Sequence, residues 1–193
     1  YSVAGLKAND LSVWYSDELD DVKFILQSKL LRVDIVQLLQ NQNMQNEQHA
    51  ADHLSAIATQ HNYSNIVVFN LELNPVWTLK PYAESQSVYS AIQKTISTQK
   101  KQALGFQIAA VEESEMTVDF LSPVFDEKEQ VAGVVLFSIN PHTSFLPAFS
   151  EWPGAGESGE LILLEKQSDS LRFLYSSNRV LSSDFSLSRL IDG

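Results

Sequence analysis

One stretch limits the possible folds more than any other: Thr117-Val-Asp-Phe-Leu-Ser-Pro-Val-Phe125, then Asp126-Glu-Lys-Glu-Gln130, then Val131-Ala-Gly-Val-Val-Leu-Phe-Ser-Ile139. Two runs rich in branched and aromatic residues flank a short charged link, which is the pattern of a β-hairpin. The second arm has almost no polar residue before Ser138. A strand apolar on both faces must be covered on both sides, so it belongs at the centre of a sheet with layers above and below it.

The residues before the hairpin supply those layers. From Leu11 to Met44 apolar residues recur in steps of three and four, with no proline or glycine. Read as one helix, this stretch is about 50 Å long, more than a small domain is thick. The polar run Asn41–Asn46 ends it. Glu47 to His61 is a second helix with Ala51, Leu54, Ile57 and Ala58 as its stripe. Ile66–Leu71 and Val76–Leu79 are strands joined across Glu72-Leu-Asn-Pro75. Ser87 to Gln99 is a short amphipathic helix, and Phe106–Val111 is a third strand leading into the hairpin.

The order is therefore long helix, helix, two strands, helix, three strands. Short turns between successive strands favour antiparallel pairing. The fold class is α+β: a long N-terminal helix, then a five-stranded antiparallel sheet flanked by helices. Residues 141–159 hold three prolines and three glycines and read as a connector. Glu160–Leu164 and Leu171–Tyr175 make a further hairpin. The expected division is 1–46 for the helix, 47–152 for the main lobe and 153–193 for the beginning of a second lobe.

Composition removes some functions. The net charge of −11 opposes binding to a phosphate backbone or an anionic membrane surface. Without cysteine there is no disulfide, thiolate metal site or cysteine nucleophile. No apolar run is long enough to cross a bilayer. A chain that starts at Tyr1 and stops at Gly193 reads as a piece of a longer protein, whose flanking membrane segments lie outside it.

Other patterns are weaker. His49-Ala-Ala-Asp-His53 places two histidines one helical turn apart, a spacing that can hold zinc. A solvated polar face explains it more simply, and no metal site is assigned. Gly154-Ala-Gly-Glu-Ser-Gly159 matches G-x-G-x-x-G, but a strand follows where a dinucleotide loop needs a helix. No G-x-S-x-G elbow is present, and the acids of 112–115 and 126–129 sit in turns. The chain is read as a non-enzyme without a cofactor.

Three pieces carry a family resemblance. Ile66–Leu79 resembles the first hairpin of the extracytoplasmic Cache sensor domains of bacterial histidine kinases, chemoreceptors and diguanylate cyclases. Leu121-Ser-Pro-Val-Phe with Gln130-Val-Ala-Gly-Val-Val-Leu resembles the Pro-Val, turn, Gly-Val-Val hairpin of those domains. Gly156-Glu-Ser-Gly-Glu-Leu-Ile-Leu-Leu resembles the opening of the membrane-proximal lobe in two-lobed members. Together they span roughly residues 10–180.

The resemblance implies a PAS-like distal lobe, a helix leading from a transmembrane segment, and a place in the periplasmic or extracellular part of an inner-membrane receptor. It implies a small-molecule ligand or periplasmic protein as partner and a homodimer formed through the N-terminal helix. The ligand cavity of such a lobe lies between the sheet and the helix after the second strand. Its expected lining here is Trp77, Tyr82, Gln86, Tyr89, Phe106, Phe120 and Ser138. Amino-acid-binding members carry an Arg-x-Trp-Tyr stretch and a late aspartate, which fall on Gln86, Val88 and Tyr89, and on Ser138. The arginine and the aspartate are both missing, which argues against amino-acid recognition of that type. The expected function is a sensory input module. The alternative is a dimerisation or protein-interaction module without a ligand.

Overall fold

The computed structural model describes residues 3–40, 43–82, 85–108, 116–150, 162–167 and 170–176. Contacts divide the chain into two compact units, Tyr1–Ser144 and Phe145–Gly193.

The first unit is built on an antiparallel sheet of five strands in the order β2-β1-β5-β4-β3. These are β1 (Tyr63–Phe69), β2 (Pro75–Thr78), β3 (Gln102–Ile108), β4 (Met116–Phe125) and β5 (Val131–Ile139). The β4–β5 hairpin forms where the sequence places it, and β5 is the central strand. Its turn is fastened by Asp126, whose Oδ1 accepts from the backbone N–H groups of Lys128 and Gln130, both at 2.8 Å. Glu129 takes a positive φ of 60° there. β3 begins four residues before the expected Phe106, because an edge strand needs no continuous apolar run to mark it.

Among the described residues four helices complete this unit: α1 (Val3–Leu26), α2 (Lys29–Gln40), α3 (Met44–His61) and α4 (Gln86–Thr98). The single long rod expected over Leu11–Met44 is not what forms. It breaks at Gln27 and Ser28, whose N–H groups bond back to Phe24 and Ile25, while the Ser28 carbonyl starts α2 by accepting from Arg32. The cause is a slip in phase. α1 buries Val22, Ile25 and Leu26, and α2 buries Leu31, Ile35 and Leu38. At about 100° per residue, one straight helix would point these two sets to nearly opposite sides. The break lets both face inward, and Leu30, expected on the buried stripe, is 72% exposed. Asn43 then caps α3, its side chain accepting from the Asn46 N–H at 3.0 Å.

The helices cover opposite faces of the sheet. α1 packs on β3 and β4, and α2 on β4 and β5. On that face Trp14 and Tyr15 meet Phe120, with ring centroids 5.9 and 5.8 Å apart. Neighbouring residues on a strand point to opposite faces. Leu121 accordingly joins Val67, Phe69, Val134 and Leu136 under Val88, Ala91 and Ile92 of α4.

In the second unit, α5 (Leu146–Ser150) is a single short helix. β6 (Ile162–Gln167) and β7 (Ser170–Ser176) pair as an antiparallel hairpin. The glycine-rich stretch 154–159 lies outside the described residues.

Candidate functional site

The sheet face under α4 changes character along its length. At one end it is apolar, because Val88, Ala91 and Ile92 recur at helical steps on α4 and press onto Val67, Leu121 and Leu136. At the other end polar side chains replace them. Thr117 and Asp119 of β4 share this face with Leu121 by strand alternation, and Ser138 of β5 stands directly opposite Asp119. Gln107 of β3 stands opposite Thr117. The first turn of α4 reaches this end, since the Ser87 hydroxyl bonds Gln107 Oε1 at 3.2 Å.

Asp119 is the unusual member. It is only 5% exposed, and its Oδ1 has no hydrogen-bond partner among the described residues. Burial pushes its carboxyl up to about 6, against hydrogen bonds from the Ser138 and Thr117 hydroxyls that pull it down. Desolvation outweighs both. A buried carboxylate is costly unless it is paired or fully hydrogen-bonded.

The residues expected to line a site do not all meet here. Ser138 is buried on this face, 7% exposed. Tyr89 packs against the apolar cluster under α4. Tyr82 is on the same side but stands edge-on to Phe69, with centroids 5.6 Å apart. Phe69 is four residues along β1 from Asn65, the partner of Ser138, and so about 13 Å away at the usual strand rise. Gln86 is exposed at the start of α4. The other three lie on the opposite face. Trp77 pairs with Val68, Phe106 meets Tyr15 at 6.4 Å, and Phe120 packs under α1. Period-two alternation separates them, and aromatic character by itself does not say which face a residue takes.

Asp119 was not among the sequence candidates. Its signal was available: a lone acid inside Thr-Val-Asp-Phe-Leu, in a strand that must be covered on both sides. The aspartate expected at the end of the last strand is replaced by Ser138, and an acid stands one strand away, directly across from it.

The α1 face has a second polar group. The Tyr63 hydroxyl is buried without a partner among the described residues. Glu18 is raised to about 6 by burial and by Asp21, against a hydrogen bond from Trp14. Burial, Glu18 and Asp21 together push the Tyr63 phenol upward. Elsewhere, His53 Nδ1 lies 2.6 Å from Asp34 Oδ2, which joins α3 to α2, and His49 is exposed. Among the described residues no group of three or more histidine or acidic side chains could hold a metal ion.

No protein-family model matches the sequence, and no curated protein matches it. Solved structures do match. The ligand-binding domain of the Campylobacter jejuni chemoreceptor Tlp3, in complex with L-norvaline, aligns with a TM-score of 0.63 at 11% identity over 90% of this chain. The V. cholerae histidine kinase DctB sensor domain aligns with a TM-score of 0.63 at 13% identity, also over 90%. The ligand-binding domain of the Pseudomonas aeruginosa amino acid chemoreceptor PctC, in complex with GABA, aligns at 0.55 and 14% over 86%. This chain has the fold shared by these ligand-binding and sensor domains. It spans 66% of the Tlp3 domain, 65% of the DctB domain and 70% of the PctC domain. No helix among the described residues is long and apolar enough to cross a membrane.

Proposed function

We propose that the chain is the sensory input domain of a transmembrane signalling receptor, on the outer side of the membrane, and that it binds a small molecule between α4 and the sheet. The observation that carries this reading is Asp119: a buried carboxylate with one oxygen that has no hydrogen-bond partner among the described residues, on the sheet face that α4 covers. Ser138 and Thr117 beside it, and Tyr89 and Tyr82 further along, complete the proposed lining. Gln86 stands at its edge. A mainly apolar enclosure with a few directed polar groups is the usual make-up of a small-molecule site.

In this reading α1 is the output. Its aromatic contacts with Phe120 tie it to the sheet, so a ligand that favours one packing of the lobe biases the helix as well. The outward side of α1 carries Leu6, Val13 and Phe24, which are 53%, 50% and 75% exposed and fall on one helical face. A second copy of this chain is the partner proposed for that stripe. The β6–β7 hairpin is proposed as the start of a membrane-proximal lobe.

A thermal-shift screen of the chain against amines, carboxylates, amino acids and sugars tests the central point. At least one class raises the melting temperature, and the responding compound perturbs the amides of α4 and β5. A flat response to every class overturns the reading. Sedimentation of the chain and of Phe24→Asp tests the dimer separately, since the substitution leaves only monomer if the stripe is the contact.

A further inference from the structure

We propose that the seam between α1 and the sheet is a proton-responsive latch: α1 packs most firmly while Glu18 is protonated and loosens as Glu18 ionises. The latch lies on the face of the sheet opposite α4, so it works whether or not a small molecule binds under α4.

Helical phase places Glu18 on the wrong side of α1 for a charge. At about 100° per residue, Leu11, Trp14, Tyr15, Val22 and Ile25 all fall within about 60° of Glu18 around the helix. These are the residues that pack inward. Trp14 and Tyr15 meet Phe120, and Val22 is fully buried. The helical period calls for an apolar residue at the centre of such a stripe, and a carboxyl there gives up part of its water when α1 docks.

The groups around it sharpen the effect. Across the seam stands Tyr63 of β1, which pairs with Ile139 and meets Phe137. It is 6% exposed, and its hydroxyl has no hydrogen-bond partner among the described residues. His61, at the end of α3, stacks on the Tyr63 ring. On α1 itself Asp21 and Asp17 add negative charge, while Trp14 donates a hydrogen bond to Glu18. Asp20 is engaged by Lys101, from the turn between α4 and β3, and by Lys23. α2 brings Lys29, Arg32 and Asp34, the last held by His53. Asp119 of β4 points to the far face, since its neighbour Phe120 points to this one. Burial first, then Asp21, raises the Glu18 carboxyl to about 6 against the pull of the Trp14 bond.

Undocking α1 returns Glu18 to water, where its ordinary value is 4.5. The docked helix therefore holds a proton that the undocked helix releases, and docking weakens as pH rises from 4.5 to 6. Partial exposure of Glu18 reduces the size of the effect but not its sign. With α1 as the output helix, acidity outside the cell becomes a second input. That consequence rests on the reading above, and the latch itself does not.

Two measurements test the latch, on the 193-residue chain and on its Asp119→Asn variant, in which the other carboxyl raised to about 6 cannot titrate. Amide exchange in α1, corrected for its intrinsic pH dependence, is expected to be about threefold or more faster at pH 7.5 than at pH 5. β4 and β5 should change less. Glu18→Gln, which cannot ionise, should abolish the difference. The Trp14 indole N–H resonance should titrate with a midpoint near 6, and Glu18→Gln should remove that titration. Equal α1 exchange at both pH values overturns the proposal, as does a pH difference that survives Glu18→Gln. A Trp14 midpoint at or below 4.5 overturns it even where Glu18→Gln fails to fold. None of these results bears on the ligand-site reading, which the thermal-shift screen decides.

Discussion

Asp119 and Ser138 face each other across the β4–β5 pair, with the carboxylate on one strand and the hydroxyl on the next, both buried. The hydroxyl helps hold the charge but does not offset its desolvation, so the carboxyl stays near 6 instead of the usual 3.8.

That difference makes stability depend on pH. Folding disfavours the ionised form of Asp119, so the folded chain binds a proton more readily than the unfolded one between pH 4 and 6, and stability falls as pH rises through that window. The cost is full above pH 6 and fades toward pH 4. Asp119→Asn should therefore stabilise the chain at pH 8 by roughly 1–3 kcal/mol, the order expected from such a displacement. The gain should shrink toward zero at pH 4. Urea unfolding of both proteins at the two pH values measures it. An equal gain at both would mean that the charge is not the cause.

Gly133 occupies a position where no side chain fits. A Cβ there would come within 2.5 Å of the Phe69 carbonyl oxygen and 2.8 Å of Leu39 Cδ1. Leu39 could turn away, but the backbone oxygen belongs to the β1–β5 ladder and cannot. Gly133→Ala is expected to cost about 1–3 kcal/mol, the range for overpacking a filled core, and toward its upper end because the clash is with backbone. Adding Leu39→Ala should recover little of it. Full recovery in the double variant would locate the clash in the side chain instead.

Tyr63 buries a hydroxyl that has no partner among the described residues. Its ring does the packing, 4.9 Å from Phe137 and stacked on His61 at 5.8 Å. An unsatisfied buried hydroxyl costs about 1–3 kcal/mol, so Tyr63→Phe should raise stability by an amount near the lower end. Thermal unfolding of the variant checks the sign, and a loss would mean that the hydroxyl has a partner.

Phe120 joins α1 to the sheet through Trp14 and Tyr15. Phe120→Ala should destabilise the chain by about 3–5 kcal/mol, as is usual for emptying a buried aromatic site. Hydrogen exchange should speed up first in α1. Phe120→Leu should cost less and keep α1 protected. Uniform exchange across the sheet and α1 in the milder variant would argue against a distinct joint there.

Much of this fold was legible in the residues, and particular elements show why. The β4–β5 hairpin could be read because branched and aromatic runs around Asp126 have one low-energy arrangement. α4 could be read because Val88, Ala91, Ile92 and Thr95 repeat at the helical period. The break at Gln27–Ser28 was harder. Leu30, Val33, Val36 and Leu39 fit a continuous rod about as well as Leu31, Ile35 and Leu38 fit a new one, and only the sheet beneath selects between them.

Local chemistry determined that this chain forms five antiparallel strands with helices to cover them, since period, turn residues and capping act between near neighbours. Which face each side chain takes, and so whether Phe120 meets α1 or a ligand, was decided by pairing between strands far apart in sequence. Asp119 shows the difference. Its place in the chain marks a lone acid in an apolar strand, but its burial, with one oxygen left without a partner among the described residues, comes from the pairing of β4 with β3 and β5.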